Sequence, residues 1–83
     1  MVVASSAVRS QRFTVMIERE GDGYVSLCPE LDIASQGESV DGAKLYLKEA
    51  IELFFEVADA SEVQSRLSSE LFITSLEVNL GEA

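Results

Sequence analysis

Two short runs of alternating apolar and polar residues, separated by Glu20-Gly21-Asp22-Gly23, constrain the fold of this chain more than any other feature. Over residues 12–18, Phe13, Val15 and Ile17 alternate with Thr14, Met16 and Glu18, the period-2 pattern of a half-buried strand. Over residues 24–28, Val25 and Leu27 fall on one face and Tyr24, Ser26 and Cys28 on the other. Glycines flanking an aspartate supply the positive-φ positions of a tight hairpin turn, so the second strand runs back antiparallel to the first. Pro29 ends it, because proline cannot donate to a ladder. A short third strand is expected over residues 33–36, closed by Gly37.

The pattern then changes period. Ser39 is placed to cap a helix and Asp41 sits at the positive end of its dipole. Val40, Ala43, Leu47, Ala50, Ile51, Phe54 and Ala58 follow helical spacing and form one apolar stripe, while Asp41, Lys48, Glu49, Glu52 and Glu56 lie towards the other side. Lys48 is spaced to pair with Glu52 one turn on. The form S-x-x-Q over Ser61 to Gln64 predicts a short second helical turn across residues 62–67. Alternation through Phe72, Thr74, Leu76, Val78 and Leu80 predicts a last strand over residues 71–80 returning to the sheet.

The expected architecture is therefore α+β in the order β-β-β-α-β, an antiparallel-rich sheet with one main helix packed on one face. Residues 1–11 read as a flexible leader, with a signal peptide the alternative, residues 12–80 as a single domain and residues 81–83 as a tail. No apolar stretch approaches the roughly 20 residues that span a bilayer, so a soluble protein with no membrane partner is expected.

Charge and missing residue types narrow the function. Six Lys plus Arg against fifteen Asp plus Glu give a net charge of −9, which repels phosphate backbones. Direct nucleic acid binding is not expected, whereas the same field draws in a basic protein. Histidine is absent and Cys28 is the single cysteine, so an intrachain disulfide and Ser-His or Cys-His chemistry are excluded. A reducing compartment, the cytoplasm, fits best. A two-metal nuclease would need converging carboxylates, but the first strand offers Glu18 alone, with Thr14 and Met16 at its centre. No catalytic residue, metal site or cofactor is expected, and Cys28 reads as a small buried hydrophobe.

Two binding surfaces are expected instead. Asp22, Tyr24, Glu30 and Asp32 bracket the second strand and offer three acids around one aromatic anchor, a candidate contact for a basic partner. A chain of 83 residues buries only about 60% of its unfolded surface, which makes self-association into a homodimer or homotetramer the common remedy. Leu45 and Leu53, outside the main stripe and with Tyr46 close by, are the candidate self-association residues.

Four pieces in order, Phe13-Thr-Val-Met-Ile-Glu18, Asp22-Gly-Tyr-Val-Ser-Leu-Cys-Pro-Glu-Leu31, Ser35-Gln-Gly-Glu-Ser39 and Glu49-Ala-Ile-Glu-Leu53, make the chain resemble the HicB-like antitoxins of type II toxin–antitoxin systems. The resemblance implies a partial ribonuclease-H-like fold that has lost its catalytic acids. It also implies a HicA-type toxin as partner, a small basic ribonuclease silenced when its catalytic histidine and RNA surface are covered. Two departures stand out: Asp32-Ile33-Ala34 replaces the family's frequent Pro-Gly-Cys-like turn, and Gly42 stands where an acid is commoner. The resemblance is to a short form without the family's C-terminal DNA-binding domain, so operator binding by this chain is not expected. The alternative is a stand-alone homo-oligomeric module for another protein or a small ligand.

Overall fold

The computed structural model describes residues 10–82. The expected leader lies outside them apart from Ser10 and Gln11. Three strands, β1 (Met16–Glu20), β2 (Gly23–Cys28) and β3 (Ile33–Gly37), precede helix α1 (Val40–Val57) and the shorter α2 (Ala60–Leu67). The sheet is antiparallel in the order β1-β2-β3, and α1 packs on one of its faces, an α+β fold as expected.

The hairpin forms where the glycines place it. Glu20 faces Gly23 across a two-residue turn, with Gly21 at φ +60. A glycine at the first of two turn residues matches the right-handed twist of the flanking strands. The first strand differs from expectation, starting at Met16 rather than Arg12 and running on to Glu20. The register explains it: Met16 faces Leu27, so residues before 15 would have to pair beyond Cys28, where Pro29 turns the chain away. Residues 12–15 are tied down differently, through Thr14, whose N–H and hydroxyl both donate to the Glu30 carboxylate at 2.9 and 2.6 Å.

Small residues decide which sheet face the helix takes. The Ser26 hydroxyl donates to the Ala43 carbonyl of α1 at 2.8 Å, so the face bearing Tyr24, Ser26, Cys28, Ile33, Ser35 and Gly37 is the one under the helix. Gly37 makes the close approach possible, since a Cβ there would lie 2.5 Å from the Ala43 nitrogen and 2.7 Å from the Gly42 carbonyl carbon. Cys28, Leu31, Ala43 and Leu47 are fully buried, and Phe13, Val15, Ile33 and Ile51 pack around that core. Ser39 caps α1 as expected, its hydroxyl accepting from the Gly42 N–H at 2.9 Å. The Gly42 departure thus falls in the capped first turn, where an added Cβ would press on the Ser39 hydroxyl at 3.1 Å.

Helix α2 starts two residues before the expected turn. Its cap is Asp59 rather than Ser61: the carboxylate accepts from the Glu62 N–H at 2.8 Å, and the Ser61 hydroxyl donates to the same oxygen. Arg66 holds α2 against the rest of the fold, donating to the Leu31 carbonyl while its guanidinium lies 5.0 Å from the Phe54 ring centroid.

The expected last strand is not part of the sheet. Residues 71–80 belong to no helix or strand and make no backbone–backbone hydrogen bond among the described residues, so the order is β-β-β-α-α. Phe72, Leu76 and Leu80 on the apolar face of this arm are 82%, 81% and 84% exposed.

Candidate protein-binding surfaces

The four residues expected to meet a basic partner do not form one patch. Asp22 lies in the β1–β2 turn and Tyr24 one residue into β2, while Glu30 and Asp32 lie in the β2–β3 connection. These are opposite ends of a six-residue strand, so the two acidic loops stand roughly 20 Å apart. A strand bracketed by two hairpin turns keeps its turns at opposite ends, and the chain order of the four residues conceals this.

Their environments differ as well. Asp22 and Asp32 are exposed. Tyr24 is half-buried on the helix-facing side, with the Arg19 guanidinium 5.7 Å from its ring centroid. Glu30 is half-buried and already engaged by the chain: desolvation pushes its carboxyl up, but the hydrogen bonds from Thr14 outweigh this and hold it below the usual carboxylate range. Asp32 sits at φ +56, the single non-glycine residue at positive φ among the described residues, and its N–H donates to the Cys28 carbonyl at 2.8 Å. Its first role is to close a turn, which aspartate does by tolerating the left-handed region. Cys28 is buried and burial pushes its thiol up, so it is an ordinary core side chain.

Two other surfaces emerge. The first is the outer face of the sheet, against which no helix packs among the described residues. The register lines up Met16 with Leu27 and Ala34 in one row and Glu18 with Val25 and Gln36 in the next. Glu20 continues this face towards the hairpin turn, in which Asp22 lies. The result is an apolar centre of half-exposed Met16 with half-buried Val25 and Leu27, bordered towards the turn by Glu18 and Glu20 of β1 and Gln36 of β3, with the Arg19 guanidinium at the turn itself, donating to the Gly21 carbonyl at 3.5 Å. Alternation separates Val25 and Leu27 from Tyr24, Ser26 and Cys28, yet it does not say which set the helix will cover.

The second surface is an open groove of about 1020 Å³ along the flank of α1 beside the segment leading into β1. Phe13, Val15, Leu45, Ile51, Phe55 and Leu67 supply its apolar lining, and Asp41, Lys44, Lys48 and Glu52 balance its charged rim. The groove exists because α1 lies mainly over β3 and β2, leaving the helix side of the β1 edge without a roof. Of the three expected self-association residues it takes in Leu45, while Tyr46 and Leu53 lie roughly 80–100° further round the helix, both about half exposed.

No family model, curated protein or solved structure matches the chain. No helix among the described residues is long and apolar enough to cross a membrane.

Proposed function

We propose that this chain is a non-catalytic cytoplasmic binding protein that captures a small basic partner on the outer face of its sheet. In the HicB-like reading that its motifs suggest, the partner is a HicA-type ribonuclease silenced by coverage. The carrying observation is the apolar cluster of Met16, Val25 and Leu27 on the sheet face away from α1, with Glu18 opposite Val25, Glu20 beyond it and Asp22 in the adjoining turn. An apolar centre with a polar rim is the anatomy of a protein interface, and an acid-rich rim on a chain of net charge −9 favours a basic partner.

Binding kinetics with the short basic protein of a neighbouring reading frame test this. Glu18→Lys with Glu20→Lys reverses the rim and is expected to slow association about tenfold and flatten its salt dependence. Leu27→Asp places a charge at the centre and is expected to shorten the lifetime of the complex. Glu30→Lys is a poor probe, because it breaks the Thr14 attachment as well. Capture that survives both outer-face variants, with circular dichroism unchanged, refutes the reading.

A further inference from the structure

We infer that residues 71–80 form a fourth strand given to a second copy of this chain, each arm pairing with the partner copy's β1 edge and laying its apolar face in that copy's groove. The proposal does not rest on the basic-partner reading and uses a different surface.

The arm has the composition of a strand but none of its bonds. By the period-2 pattern Phe72, Leu76, Val78 and Leu80 fall on one side, and all are 61–84% exposed, while the backbone carries no ladder among the described residues. Exposed apolar side chains at single positions are normal in a monomer; a continuous run of alternating large apolar side chains left in water is not. The groove presents the complementary deficit, an apolar trough beside a strand edge with which none of the described residues pairs. The lengths agree: Phe13 to Glu20 and Phe72 to Leu80 each span roughly 25–30 Å when extended.

Three observations favour a second copy over other occupants. Donor and acceptor lie on the same sequence, so a two-fold exchange satisfies both arms and both grooves at once and closes the assembly. Ten arm residues plus the groove side chains on each copy give about the 20–30 residues per partner of a standard interface. The rim of the groove is balanced between acids and bases, so it has no preference for the basic protein that would suit the outer face. Closure of the arm on its own β1 edge is the competing arrangement, since Leu71 shares a cleft with Phe13.

Sedimentation of the full chain at ~50 μM, a concentration set to detect moderate affinity, should give twice the 9.0 kDa chain mass. In dimers mixed from isotope-labelled and unlabelled copies, filtered NOEs should connect Phe72, Leu76 and Leu80 of one copy to Ile51 and Phe55 of the other. Leu76→Asp should weaken dimerisation at least about 100-fold with circular dichroism unchanged. A monomer at that concentration overturns the exchange. So do arm-to-groove NOEs confined within one copy, or a dimer in which the arm amides stay unprotected from hydrogen exchange. Loss of the arm contact with capture of a basic protein intact leaves the outer-face reading standing, and the converse separates the two equally well.

Discussion

Asp32 carries a backbone conformation that most side chains resist, and its hydrogen bond to Cys28 sets the direction in which β3 starts. An L-residue in the left-handed region costs roughly 1–2 kcal/mol unless it is glycine, asparagine or aspartate. Asp32→Val should therefore lower stability by about that amount and Asp32→Gly by almost nothing, as urea midpoints will show. Glu30 makes a second prediction, with a definite sign. Its carboxyl is lowered in the folded state, so the stabilisation is present above the ordinary glutamate value and is lost as pH falls through the lower folded value. Glu30→Gln should cost about 1 kcal/mol at pH 7, a modest figure because the group is partly in water. The gap between the urea midpoints of the variant and the parent should narrow as the pH is lowered below the ordinary glutamate range. A difference that persists unchanged in acid would show that the attachment to Thr14 does not depend on charge.

Among the elements, the contact between α1 and β3 tolerates least. Gly37→Ala would push a methyl group into the backbone of Gly42 and Ala43, where no side chain can swing aside. Overpacking of this kind costs about 1–3 kcal/mol, and thermal melting should show it as a lower midpoint with the same fold by circular dichroism. The hairpin, third strand and main helix were legible because period, turn glycines and a serine cap are local signals. The helix-bearing face was not, since apolar content alone favours Val25 and Leu27, whereas steric access selects Ser26, Cys28 and Gly37. The start of β1 was hidden for a similar reason: Phe13 and Val15 continue the alternation, but β2 supplies no partner before residue 15. Residues 71–80 have the alternation of a strand but form none among the described residues, because a period-2 pattern marks a segment able to pair without supplying the edge it would pair with. For the candidate site, acids and an aromatic could be picked out by type. Their separation along β2 could be judged only once both turns were placed.

At the scale of the molecule, the balance between covered and uncovered apolar surface governs behaviour. Four apolar residues are buried among the described ones, against fourteen large hydrophobics that are exposed. If two copies complete each other, folding and association are one equilibrium, and the melting midpoint must rise with protein concentration. A rise of roughly 3–5 °C per tenfold increase is expected for a dimer of this size, and a midpoint independent of concentration would show that the single chain is self-sufficient. The uncovered arm also makes a prediction about proteolysis. Its Phe72, Leu76 and Leu80 stand on backbone without a ladder, the form in which a protease groove accepts a substrate. Chymotrypsin should cut there in dilute solution and spare the arm in concentrated solution, so scarcity of the protein would itself shorten the survival of each remaining copy.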